Sequence, residues 1–248
     1  MIILKSPQEI EKMKASNAIV AEVIQQIAGM VSPGVRTLDL DRCAEEIARK
    51  RGARPAFKGY RGYPFSLCTS VNQEVVHGMP SERSLAEGDI LSLDFGIFYN
   101  GYYGDAAITV PVGKVSAEAG RLMETTEQSL YLGIEKARVG NRLGDVSSVI
   151  QDHVEANGFS VVRDFVGHGI GKNLHEDPQV PNYGFRGRGV ELRAGMVLAI
   201  EPMVNEGVYQ VQVLKDGWTV VTSDGKLSAH FEHSVAVTEN GPVILSKL

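Results

Sequence analysis

The stretch Gly88 to Val110, GDILSLDFGIFYNGYYGDAAITV, constrains the fold more than any other part of the chain. Its alternating β-branched and aromatic residues make two strand patterns that meet at Asn100-Gly101, a dipeptide whose tolerance of positive φ suits the type I′ turn of a two-residue β-hairpin. With those residues at the turn, Tyr99 pairs with Tyr102, and the ladder sets Asp94 opposite Ala107 and Asp105 opposite Gly96. The two carboxylates become diagonal neighbours on one face, about 7–8 Å apart, a gap that inward-leaning acids bridge by sharing a cation. Asp94 follows the apolar run Ile90-Leu91-Ser92-Leu93, and a carboxylate ending a buried strand needs a cation or hydrogen-bond donors to offset its desolvation. The hairpin reads as half of a metal cage.

An internal repeat supplies the other half. Gly88-Asp89-Ile90-Leu91-Ser92-Leu93-Asp94 aligns with Gly195-Met196-Val197-Leu198-Ala199-Ile200-Glu201, and a carboxylate ends each run. Asp105-Ala106-Ala107-Ile108-Thr109-Val110 aligns with Glu232-His233-Ser234-Val235-Ala236-Val237 once an extra segment in the second half is allowed for. Each strand pair follows two helices. Ser6, Pro7 and Glu9 form a capping box that opens the first helix, whose apolar stripe Ile10, Met13, Ala18, Val20, Ile24 and Ile27 continues to Gly29. The second runs from near Thr37 to Gly52, the third opens at Ser116, and the fourth covers about Leu143 to Asn157, ended by Gly158. Gly34, Arg36, Asp39 and Gly52 align with Gly140, Arg142, Asp145 and Gly158. Two similar halves, roughly residues 1–113 and 114–248 of one domain, would bring all four acids together about a pseudo-twofold axis.

Four ionised carboxylates at one point repel in a low-dielectric site unless cations neutralise them, and two divalent ions would. Oxygen ligands with an added imidazole suit Mn²⁺, Fe²⁺, Co²⁺ or Zn²⁺. His168 is the candidate imidazole, in Gly167-His168-Gly169-Ile170-Gly171, where glycines allow close backbone approach. That run lacks the Lys-Ser/Thr ending of a phosphate loop.

Composition narrows the partners. A chain of 248 residues, 43% hydrophobic, is long enough for one sizeable core, and a net charge of −5 without a block of Lys and Arg gives no footprint for nucleic acid or an anionic membrane. The N-terminus lacks a signal-peptide apolar region, and nothing approaches 18 unbroken apolar residues. Cys43 and Cys68 form no CxxC motif or disulfide framework, which fits a reducing compartment. A soluble cytoplasmic protein is expected.

His77-Gly78, Asp94 with Asp105, Gly167-His168-Gly169-Ile170-Gly171 with His175-Glu176, Ile200-Glu201-Pro202 and Phe231-Glu232-His233 together resemble the type I methionine aminopeptidases over nearly the whole chain, in order. The resemblance implies an α+β pita-bread fold: pseudo-twofold duplicated halves with a curved antiparallel sheet flanked by helices, around a dinuclear metal site. It also implies that Asp94 chelates one metal, that His168 and Glu201 hold the other, and that Asp105 and Glu232 bridge them. The implied reaction removes the N-terminal methionine from a peptide or nascent chain with a small second residue, by attack of a metal-bridging hydroxide on the first peptide bond. Glu201 would act as base, with His77 and His175 at the scissile amide. Phe57, Tyr60, Tyr63, Cys68 and Trp218 would line the methionine pocket alongside the two histidines.

A monomer in transient contact with the ribosome is expected, and the chain resembles the compact bacterial form without the eukaryotic zinc-binding extension or the helical insertion of type II. Three positions depart from the family pattern: Leu174 where Phe is frequent, Val76 where Cys is, and His230 where Gln is. Leu174 bears on pocket shape, and His230 on the hydrogen bonds around Glu232 or on metal binding. Two other readings share the fold, a prolidase or proline-specific aminopeptidase and a catalytically inactive peptide-binding module.

Overall fold

The computed structural model describes residues 1–247. Asn100 and Gly101 both take positive φ, 50° and 86°, so the strands Ile90–Tyr99 and Tyr102–Pro111 pair in the expected register, with Asp94 opposite Ala107 and Asp105 opposite Gly96. A nine-stranded antiparallel sheet is built outward from this hairpin. In space it runs Arg54–Pro55, Ile90–Tyr99, Tyr102–Pro111, Glu232–Thr238, Val197–Ile200, Gly167–Gly169 and Glu176–Val180. Cys68–Val71 also pairs with Ile90–Tyr99, and Gly241–Ile244 with Glu232–Thr238. Glu232–Thr238 is thus the seam between the strands of the first half and those of the second.

Helices α1 (Pro7–Ala28) and α2 (Thr37–Lys50) cover the first half of the sheet, and α3 (Ala117–Lys136) and α4 (Leu143–Ala156) the second. Ser6 and Glu9 close the capping box at α1, Glu9 N–H donating to Ser6 Oγ and Ser6 N–H to Glu9 Oε2. The inner face of α1 differs from its expected stripe: Ala18 is exposed and Ile10 half-buried, while Ser16 and Asn17 are fully buried. Gly104 is the reason, since a Cβ there would stand 2.9 Å from Asn17 N, and its absence lets the helix rest on the hairpin backbone. Ser16 Oγ then lies 3.1 Å from the Tyr99 and Tyr102 carbonyls beside the turn.

The repeat is visible in individual hydrogen bonds. Gly34 N–H donates to Leu85 O as Gly140 N–H does to Leu192 O, and Gly88 N–H to Val112 O as Gly195 N–H does to Val237 O. All four glycines take φ between +86° and +92°, a region that an L side chain enters only with strain. Two apolar cores follow the same division. One sets Val20, Ile24 and Leu40 of α1 and α2 against Leu91, Leu93 and Phe95; the other sets Leu130, Val146 and Ile150 of α3 and α4 against Leu198, Ile200 and Val235. What the cores leave free is the opposite face of the sheet.

Candidate metal centre

Strand register assembles the acids on that face. Cys68 pairs with Asp94, Asp94 with Ala107, and Ala107 with Glu232, so these four residues form one row across adjacent strands. Asp105 lies two residues from Ala107 and shares its face. In the second half His168 and Ser234 flank Ala199, and Glu201 lies two residues past Ala199, just beyond its strand. One oxygen each of Asp105 and Glu232 and one ring nitrogen of His168 lie within 4.8 Å of one another, and His168 Nε2 is 3.5 Å from Glu201 Oε1.

The His168 tautomer follows from the backbone of its own strand. Nδ1 lies 2.9 Å from the Gly169 carbonyl oxygen, which can only accept. Nδ1 therefore carries the proton, and Nε2 presents a lone pair to the acids.

Burial sets the electrostatics. Desolvation pushes the Asp94 carboxyl up to about 7, with the nearby Glu201 charge adding to the rise. Burial and then the neighbouring acids push Asp105 and Glu232 well above the usual carboxylate range, and burial alone does so for Glu201. Burial pushes the His168 imidazole down to about 3, helped by His175. Asp94 Oδ1, Asp105 Oδ1 and Glu232 Oε1 are buried without a hydrogen-bond partner. Oxygens with no donor, acids that desolvation opposes as anions, and an imidazole held neutral all fit divalent cations, which supply the missing positive charge.

A cleft of about 190 Å³ opens over this floor, small beside the 300–1,000 Å³ of drug-sized sites and suited to a single side chain. Phe57, Tyr60, Tyr63, Cys68, Trp218 and Leu174 line it, with His77 and His175 at its sides. Tyr63 is fixed by its hydroxyl, 3.1 Å from Gly78 O and 3.2 Å from Leu67 O, and meets Trp218 edge-on at 5.1 Å. Burial, then the charge of Asp94, keeps the Cys68 thiol well above its ordinary range, which makes it a small apolar wall rather than a nucleophile. Tyr60 OH lies 2.9 Å from His175 Nδ1, and the His175 ring sits 4.2 Å from that of His168. His77 takes φ +59°, a conformation costing about 1–3 kcal/mol in a residue other than glycine and concentrated at functional sites.

All twelve side chains singled out from the sequence line this one cleft. Arg61, Val76, Phe165, Val166 and Met203 line it as well. Phe165 packs edge-on against His77 at 5.6 Å, yet it stands in an irregular segment with neither strand nor helix period to mark it. Met203 carried a usable signal, being the apolar residue two places after an acid already assigned to the site. His230 stands behind the floor, fully buried, and burial lowers its pKa.

A doubled antiparallel sheet whose inner face gathers acids and a histidine from both halves is the pita-bread arrangement. Residues 11–239 match metallopeptidase family M24, and the chain belongs to that family. It is 58% identical to a methionine aminopeptidase of Clostridium perfringens over 246 residues, 99% of each chain. It superposes on a crystal structure of methionine aminopeptidase from Thermotoga maritima with a TM-score of 0.98 at 51% identity, covering all of both chains. A prolidase from Pyrococcus furiosus shares the fold alone, with a TM-score of 0.82 at 23% identity, over 99% of this chain and 66% of that one.

Proposed function

We propose that this protein removes the N-terminal methionine from peptides and nascent chains whose second residue is small. The observation that supports this most is the single cleft joining a floor of convergent acids to a slim apolar wall. Asp94, Asp105, His168, Glu201 and Glu232 would hold two divalent cations of the Mn²⁺, Fe²⁺, Co²⁺ or Zn²⁺ type. Such ions, when bound, lower the pKa of water and polarise a peptide carbonyl.

The chain's own groups do the rest. Glu201 takes the proton of the attacking water and returns it to the leaving amine. Tyr60 donates its hydroxyl proton to His175 Nδ1, so His175 Nε2–H points at the developing oxyanion. His77, kept neutral by burial, receives the scissile amide. The methionine thioether packs among Phe57, Tyr63, Cys68 and Trp218, where soft and aromatic surface suits sulfur. A cleft with room for one side chain limits cleavage to one residue.

In this reading the chain is one catalytic domain, its halves meeting near residue 113, working as a cytoplasmic monomer with transient ribosome contact. Among the described residues no helix is long and apolar enough to cross a membrane. The test compares release of methionine from Met-Gly-X and Met-Ala-X peptides with hydrolysis of X-Pro substrates, with and without chelator. Chelator-sensitive release of methionine is expected; metal-replete protein that turns over only X-Pro peptides, or neither substrate, overturns the reading.

A further inference from the structure

His230 has no part in the account above, and its surroundings are unusual. It is 1% exposed, and neither ring nitrogen has a hydrogen-bond partner. A neutral imidazole carries one donor and one acceptor, and leaving them unpaired in a buried position costs as much as a lost hydrogen bond at each. Among the described residues, the one carboxylate oxygen within 4 Å of either ring nitrogen is Glu201 Oε2, 3.6 Å from Nε2.

The backbone of His230 is held on both sides. Its N–H donates to Thr109 Oγ1 at 2.9 Å, and Thr109 Oγ1 donates to its carbonyl at 2.8 Å. With the Thr109 proton used on that carbonyl, Ser92 Oγ must be the donor in the 2.8 Å Ser92–Thr109 contact. Ser92 and Thr109 face each other on the central hairpin, so the ring is mounted on the most regular part of the sheet. Glu201 is held at its backbone by Asn182 Nδ2, which donates to its carbonyl at 2.9 Å, but its carboxylate lies just past the strand with its two oxygens facing His168 and His230 at 3.5 and 3.6 Å.

We propose that His230 is a positioning residue for Glu201, its Nε2–H holding Oε2 so that Oε1 alone is turned toward the cation site and the reacting water. Nε2 carries the proton because an acid faces it. The proposal requires the 3.6 Å gap to close to about 3 Å, the length of a hydrogen bond. The inference rests on the proposed aminopeptidase reading for the role of Glu201. It does not require His230 to bind metal.

The test uses His230→Gln, which keeps an N–H donor, and His230→Leu, which keeps bulk and removes it. Both are compared with wild type in kcat and KM on a Met-Ala-X peptide, in Mn²⁺ affinity by calorimetry on chelator-treated protein, and in Tm. With a hydrogen bond to a charged group at stake, His230→Leu is expected to lose about ten- to a hundredfold in kcat at nearly unchanged KM. It should also bind Mn²⁺ several-fold more weakly. His230→Gln should recover most of both. Equal behaviour of His230→Leu and wild type, or an equal fall in both variants, overturns the assignment. Should His230→Leu fail to fold, His230→Met replaces it under the same criteria. Wild-type protein that releases no methionine would instead refute the aminopeptidase reading, and the Mn²⁺ affinities would still judge His230.

Discussion

Asp94 and Glu232 face each other across Ala107, one on each strand flanking it. The methyl group of a fully buried alanine is all that stands between the two acids. Ala107→Leu would put a branched side chain among the carboxylates. Metal content after dialysis is expected to fall to a small fraction of wild type, while overpacking costs the fold about 1–3 kcal/mol. Elemental analysis and urea unfolding check the two effects separately, and normal metal content would show that this row is not the floor of the site.

Glu201→Gln preserves shape and removes the proposed base. Its expected signature is retained fold and metal with kcat reduced by about 10²–10⁴, the usual contribution of a positioned proton-transfer group. Steady-state kinetics on metal-loaded protein decide it. A kcat close to wild type would exclude the assigned role.

His77 sets a pH dependence. Burial, then His230, lowers its pKa from 6.5 to about 4. The folded chain therefore refuses a proton that the unfolded chain accepts, so stability from this residue falls as pH drops from about 6.5 to about 4 and is flat below that. An NMR titration of the ring in chelator-treated protein should give a midpoint near 4, and an ordinary midpoint near 6.5 would contradict the packing described around it.

Lys5 and Glu176 form an ion pair at 2.6 Å with both side chains only 4% exposed, next in sequence to His175. Lys5 Nζ also donates to Ile3 O, and Asn173 N–H donates to Glu176 Oε1. Removing one partner strands the other, so Lys5→Met alone is expected to cost about 3–5 kcal/mol, whereas Lys5→Met with Glu176→Leu should recover most of it. Urea denaturation of the single and double variants is the measurement. Additive losses would mean the pair does not act as a unit.

The central hairpin was readable because Asn100-Gly101 restricts the turn to two residues, after which the period of two fixes every facing pair, Asp94 with Ala107 included. The duplication was readable because a positive-φ glycine leaves a mark that survives divergence of its neighbours, as Gly34 with Gly140 and Gly88 with Gly195 show. Other contacts had no such mark. Cys68 reaches Asp94 through a four-residue strand whose partner depends on how the whole sheet closes. Ala18 has the right period for the inner stripe of α1 but points outward, because the helix approaches Gly104 through Ser16 and Asn17. Phe165 and the mount of His230 depend on irregular segments and on a threonine more than a hundred positions away, so local pattern could not disclose them.

The central place of Glu232–Thr238 has a consequence for how the molecule comes into being. This strand is translated long after the hairpin whose edge it joins, and until it docks, the early and late strands of the nine-stranded sheet share no border. Asp94 and Asp105 must wait, close together, for partners that a growing polypeptide does not yet contain. A translation product that ends before Glu232 would keep its first two acids without the strand that carries the last of the proposed ligands, so in the proposed reading the site is completed only near the end of synthesis.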